Sequence, residues 1–251
     1  MSANIVAPAG PTVALVHGAF ADSSSWNGVV ARLQAAGVPV TTIPNPLRGI
    51  SADAAYVASA LAQIPGPVLA VGHSYGGAVI TNAAARVDNV VGLVYVAAFA
   101  PDEGERLGDA TATSKDAVLS SALVPRSYPS TENEEALVEF MIDPARVHDV
   151  FAADLPEDLA ALVGATQRPV AELAFSEPSG APAWKDLPAW SVVALSDKAA
   201  GTDVVRSMAE RAGARITEVE GSHVIMISQP DAVTEVIMNA LAAVEALAPV
   251  G

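Results

Sequence analysis

The sequence predicts a doubly wound α/β fold, a mostly parallel sheet of about six strands carrying one helical insertion. Three observations carry this. Short β-branched runs alternate with longer helical patterns from the start of the chain. The alternation stops between Asp102 and Asp186. It then resumes for two more strands and a closing helix. Strands separated by helical segments pair in parallel through right-handed crossovers.

Each element has its own signal. Residues 12–17 (TVALVH) form a near-continuous apolar run, as a strand buried on both faces requires. Residues 28–36 read as helix and residues 38–43 (VPVTTI) as the second strand, with Pro39 at its weak start. Ser51 is expected to cap a helix to Gln63, with Asp53 in the first turn. Residues 67–71, 90–97, 190–195 and 215–219 supply the remaining strands. Helices are expected over residues 75–87, 204–211 and 232–246. Between Asp102 and Asp186 only helical patterns stand out, around residues 134–142 and 156–163, and nine of the 18 prolines lie between Pro101 and Pro188. The expected division is a core of residues 1–101 and 187–251, with residues 102–186 as a helical cap over the ligand crevice.

Composition narrows the function classes. The chain has 251 residues, a length that suits one domain with a modest insertion. Half of it is apolar (51%), so it can bury a sizeable core. With 28 Asp+Glu against 13 Lys+Arg, its charge of −15 repels phosphate backbones and anionic lipid heads. No nucleic-acid or membrane partner is expected. Zero cysteines remove disulfides, thiolate metal sites and a Cys nucleophile, and fit a cytoplasmic location. Residues 1–10 carry no Lys or Arg for a signal peptide, and apolar runs such as residues 90–98 fall far short of the ~18 residues of a membrane span.

The most informative motif is Gly72-His73-Ser74-Tyr75-Gly76-Gly77, which follows an apolar strand and opens a helix. In that context the serine sits on a tight, strained turn that lifts its hydroxyl above the sheet edge. The helix N-terminus directs N–H groups and partial positive charge at the point where an oxyanion would form. Serine needs a base, and there are four histidines. His73 adjoins Ser74 and should leave the turn in another direction. His17 ends the first strand, and His148 reads as a surface histidine of the insertion. His223 follows the last strand in a Gly221-Ser222-His223 turn, on the same sheet edge as Ser74. Asp197, just past the 190–195 strand, is the expected orienting carboxylate. Asp102 is its rival on that edge, while Asp203 suits a helix cap better. The oxyanion donors are expected to be the N–H groups of Tyr75 and Ala19, with Phe20 N–H as the lesser alternative. His17 would orient that loop, and Gly18 would let its backbone approach the substrate. Gly18, Phe20, Phe99 and Trp184 are the substrate-binding candidates, with Tyr75 also flanking the nucleophile. There is no HExxH and no His pair at ligand spacing, so no metal is expected.

Together these pieces resemble the α/β-hydrolase superfamily. The carrying residues are Val16-His17-Gly18-Ala19-Phe20, the serine motif, Ser196-Asp197-Lys198 and Gly221-Ser222-His223. The His17-Gly18-Ala19 to Trp26 spacing and Ala97-Ala98-Phe99-Ala100-Pro101 look like one branch, that of small bacterial esterases, plant methyl esterases and plant hydroxynitrile lyases. The resemblance implies a helical cap over an apolar pocket and no cofactor. Lyases of this branch carry Thr after the first-strand His and Lys after the catalytic His; here those positions are Gly18 and Val224, which favours hydrolysis. The leading antiparallel hairpin usual in the superfamily is missing, because residues 12–17 already precede the oxyanion loop.

The expected function is a serine carboxylesterase acting on small, largely apolar esters through an acyl-enzyme on Ser74. A cofactor-free perhydrolase or haloperoxidase, a lyase, and a slow-turnover binding protein stand as alternatives. A homodimer is left open. The acidity is uneven: residues 102–186 hold 17 Asp+Glu and six Lys+Arg, net −11, and the rest of the chain is net −4. The cap surface is therefore expected to be a solvated acidic shell; the sharper alternative is a lid that discourages anionic substrates and tolerates neutral or cationic esters.

Overall fold

The structure is a computed structural model describing residues 10–130 and 136–247. Residues 1–9, on which most of the signal-peptide reading rests, lie outside the described residues. In chain order the first half supplies β1 (Thr12–Val16), α1 (Asn27–Ala35), β2 (Val40–Ile43), α2 (Ile50–Ala62), β3 (Val68–His73), α3 (Tyr75–Ala84) and β4 (Val90–Val96). The insertion supplies α4 (Leu107–Ala112), β5 (Leu123–Pro129), β6 (Ala136–Ile142), α5 (Val147–Val150), α6 (Glu157–Thr166), β7 (Val170–Ala171) and α7 (Leu173–Ser176). The chain then returns through β8 (Ala189–Ala194), α8 (Thr202–Arg211), β9 (Arg215–Val219), α9 (Ile225–Ser228) and α10 (Pro230–Leu247).

The main sheet has six strands in the order β2-β1-β3-β4-β8-β9, and every pairing is parallel. Right-handed crossovers put α1 and α10 together on one face and α2, α3 and α8 on the other. All residues of β1, β3 and β8 are buried, as their unbroken apolar runs require. After β1 the chain first adds β2 on one side, then crosses back to add β3 on the other. The reversal leaves a crevice above the C-terminal ends of β1 and β3, where a ligand site belongs. The register sets Val16 beside Gly72, and His73 beside Val96, so the loops after three strands emerge at one level.

The insertion departs from the all-helical expectation. It contains a three-stranded antiparallel sheet, β5-β6-β7. The helical pattern assigned to residues 134–142 is strand from Ala136 onward, and residues 134–135 lie outside the described residues. Its Ala, Leu, Glu and Met favour helix locally, but pairing with β5 overrides that propensity. β5 carries Pro125 and Pro129, which is tolerated because it is an edge strand. The second expected helix is present as α6.

Two cap assignments also change. Gly49, at φ 144°, is the N-cap of α2, not Ser51. The carboxylate of Asp53 accepts from Arg48 and Gly49 N–H, and Glu177 accepts from Ser51 N–H at 3.0 Å. Carboxylates thus do the capping expected of the Ser51 hydroxyl. Gly201 caps α8, and Asp203 instead holds the insertion, accepting from Lys115 N–H at 2.8 Å and from the Ser114 hydroxyl.

Close packing of α3 on β1 leaves no room at Gly76, where a Cβ would lie 2.5 Å from the Val16 carbonyl oxygen. Gly76→Ala should therefore cost about 1–3 kcal/mol in urea unfolding. A loss within ~0.5 kcal/mol would show slack at this contact.

Candidate active site

Ser74 stands between β3 and α3 with φ 53° and ψ −123°, a left-handed backbone that side chains rarely adopt. The surroundings fix it. Its N–H donates to Val96 O at 3.2 Å, and its carbonyl accepts from Gly77 N–H at 2.9 Å and Phe99 N–H at 3.2 Å. The turn closes only because neighbours lack side chains: a Cβ on Gly72 would sit 2.5 Å from Gly76 O. A Cβ on Gly18 would fall 2.6 Å from Ser74 Cβ.

The Ser74 hydroxyl donates to His223 Nε2 at 2.8 Å, and His223 Nδ1–H donates to Asp197 Oδ2 at 2.8 Å. The other Asp197 oxygen accepts from Ala199 and Ala200 N–H, each at 2.9 Å. These bonds hold the carboxylate and fix one tautomer of the imidazole. Ser196 N–H donates to Gly221 O at 3.0 Å, joining the loops that carry Asp197 and His223. All three side chains are buried. The rivals for Asp197 are elsewhere: Asp102 pairs with Lys185 at 2.6 Å, and Asp203 holds the insertion. His148 hydrogen-bonds Leu155 O through Nε2.

Above Ser74 and His223 lies a cavity of about 280 Å³. Ala19, Phe20, Tyr75 and Phe99 line it from the core, and Phe140, Phe151 and Phe175 from the insertion. All five phenylalanines of the chain therefore face one cavity. Glu172 is the one charged residue of the described lining. Tyr75 opens α3, so its N–H has no intrahelical acceptor and is free for a ligand oxygen. The Gly18–Ser74 contact brings the backbone leading to Ala19 against the serine.

Two of the substrate-binding candidates are not among the residues that line this cavity. Gly18 does not line the cavity; it packs against Ser74 and His73, and its lack of a Cβ serves the turn. Trp184 is also outside the lining, because its indole N–H is held by Pro101 O at 3.0 Å.

Sequence reasoning missed the residues behind the site. His73 Nε2–H donates to the His223 carbonyl at 2.9 Å, and its ring lies 4.7 Å from the His223 ring. Complete burial holds His73 neutral, well below the usual histidine range, and His223 adds to the shift. The Tyr75 phenol donates to buried Asp53 at 2.8 Å. Burial pushes the Asp53 carboxyl up, against the N–H groups of Arg48 and the Tyr75 hydroxyl that favour its charge. His17 orients its loop as expected: Nδ1–H donates to Gly18 O and Nε2 accepts from Asn45 N–H, both at 2.9 Å. The positions of Phe20, Tyr75 and Phe99 beside the oxyanion loop and the serine signalled the core side of the lining, while nothing in the spacing pointed to Phe140, Phe151, Phe175 or Asn45.

Among the described residues no group of three or more His, Asp or Glu could hold a metal ion. No described helix is long and apolar enough to cross a membrane.

A family model described as "Alpha/beta hydrolase family" matches residues 13–236, and the chain belongs to that family. A search of curated proteins finds no match. Among solved structures, polyneuridine aldehyde esterase is similar at 19% identity and TM-score 0.77, covering 92% of this chain and 99% of its own. A pyrethroid hydrolase from Sphingobium faniae JZ-2 is similar at 22% identity and TM-score 0.74, covering 93% and 98%. An Arabidopsis methylesterase is similar at 18% identity and TM-score 0.74, covering 93% and 99%. At these identities the likeness shows a shared fold.

Burial lowers the His17 pKa from 6.5 to about 4, so the folded state binds the neutral ring. Between those values the unfolded chain holds the extra proton. The contribution is complete above pH 6.5 and is lost as pH falls toward 4. It should amount to on the order of 3 kcal/mol. Urea unfolding across that range should show the fall, and His17→Gln should flatten part of it. A slope untouched by the substitution would acquit His17.

Proposed function

We propose that the chain is a serine-dependent carboxylic ester hydrolase acting on small, largely apolar, uncharged esters. The observation that carries this reading is the continuous relay from the Ser74 hydroxyl through His223 to Asp197, opening on an apolar cavity. Esterases among the structures of like fold support it.

In this reading Ser74 Oγ attacks the ester carbonyl carbon while its proton passes to His223 Nε2. Asp197 stabilises the imidazolium that forms. The carbonyl oxygen becomes an oxyanion, received by the N–H groups of Tyr75 and Ala19, each contributing roughly 3 kcal/mol. His223 returns the proton to the departing alkoxide, which leaves as the alcohol. Water then attacks the acyl-enzyme, giving its proton to His223, and the acid is released as Ser74 regains a proton.

Hydrolysis is favoured over lyase chemistry at one position. The Thr that the related lyases carry has no space at Gly18, where even a Cβ meets Ser74. The described cavity lining contains Glu172 and no Lys or Arg, so a carboxylate on the substrate would go unpaired. Absent cysteines support a cytoplasmic location.

A fluorophosphonate should label wild type at Ser74 and leave Ser74→Ala unmodified. Hydrolysis of p-nitrophenyl butanoate should fall by roughly 10⁴-fold or more in Ser74→Ala and by roughly 10⁴-fold in Asp197→Asn. A wild type that neither labels nor hydrolyses short esters would refute the reading. Neutral esters should also surpass matched carboxylate-bearing ones in kcat/KM at low salt, with the gap narrowing at high salt. Equal values at low salt would remove the charge preference.

A further inference from the structure

The cavity over Ser74 has a neighbour of equal size. A second cleft, also about 280 Å³, lies between α6 and the turn leading into α1. Phe20 and Phe151 line both spaces. Their rings meet edge to face with centroids 6.2 Å apart, and both are buried. The wall between the two spaces is therefore one pair of side chains thick. The cleft is faced by Leu159, Leu162, Val163 and Ile227, an apolar wall, while Asp22, Ser24, Ser25, Asn27 and Thr166 add polar groups to its lining. Leu162 is 57% exposed, so the cleft reaches solvent there.

Phe20 follows Ala19 with its backbone at φ 60°, within the loop that approaches Ser74. Phe151 belongs to the insertion, just past the end of α5, and packs on the His223 ring at 5.1 Å. An apolar cavity of about 150 Å³ already holds benzene. The first cavity thus has room for a ring or short chain plus the ester group, and a longer chain meets the phenylalanine pair.

We propose that Phe151 is a specificity-determining residue. Its ring, against Phe20, sets the length limit of the ester, and the cleft behind it is a second subsite fitted to an unbranched apolar chain. This rests on the esterase reading of Ser74 for its turnover arm, while a binding arm stands apart from it. Each methylene that reaches the cleft is removed from water, worth about 0.8 kcal/mol, so a few suffice for a tenfold gain.

The test is kcat/KM for p-nitrophenyl esters from acetate to decanoate in wild type, Phe151→Leu, Phe151→Ala and Phe151→Ala/Val163→Trp. Wild type should decline beyond butanoate. The decanoate-to-butanoate ratio should rise by at least about tenfold in Phe151→Ala and by less in the milder Phe151→Leu. Filling the cleft with Val163→Trp should cancel the gain. In the Ser74→Ala background, calorimetry should show methyl decanoate binding about tenfold tighter when Phe151 is also alanine. An unchanged ratio in Phe151→Ala, or a gain that survives Val163→Trp, overturns the proposal. If no variant turns over any ester, the esterase reading fails by itself. The calorimetric comparison then decides: tighter binding upholds the subsite and equal binding ends it.

Discussion

The site depends on one strained residue. Ser74 keeps a left-handed backbone because β1, β4 and the start of α3 close around it, and each close approach occurs where a side chain is missing. Strain of this kind costs of order 1–3 kcal/mol and persists only when the surroundings over-determine it. Here they do. Val96, Gly77 and Phe99 hold the Ser74 peptide groups, and Gly72, Gly76 and Gly18 clear the space. The serine is thereby raised into the crevice, and the Tyr75 N–H, at the start of α3, is left without an intrahelical acceptor. In the proposed mechanism the position of the nucleophile and that of the oxyanion donor are then one decision of the backbone.

Support for the base comes from the opposite side. His73 shares the strained turn with Ser74, yet its ring turns away and holds the carbonyl of His223. The two imidazoles are 4.7 Å apart, and burial keeps the rear one uncharged. In the proposed mechanism a proton arriving on His223 would therefore meet a neutral neighbour and the Asp197 side chain. Asp197 in turn is tied to two backbone N–H groups, which fix its orientation.

The core was legible because its signals are local. Buried parallel strands read as apolar runs, and the glycine spacing around Ser74 states the turn directly. His223 and Asp197 were found because sheet topology sends both loops to the edge that holds Ser74. The insertion was less legible. Residues 136–142 carry helix-favouring side chains, and only pairing with β5, the strand just before them in the chain, decides otherwise. Trp184 lies outside the cavity lining: an aromatic in a cap suggests a binding surface, and here its indole N–H is bonded to a backbone carbonyl. Asp53 looked like a first-turn helix acid and is also the buried partner of a phenol 22 residues away in sequence.

The cavity's composition has a practical side. Every phenylalanine in the chain touches it, two from the core and three from the insertion. Protein grown with fluorinated phenylalanine would carry fluorine nowhere else. Its five resonances would follow the filling of the cavity and the seating of the cap at once, against a spectrum with no background from the rest of the molecule.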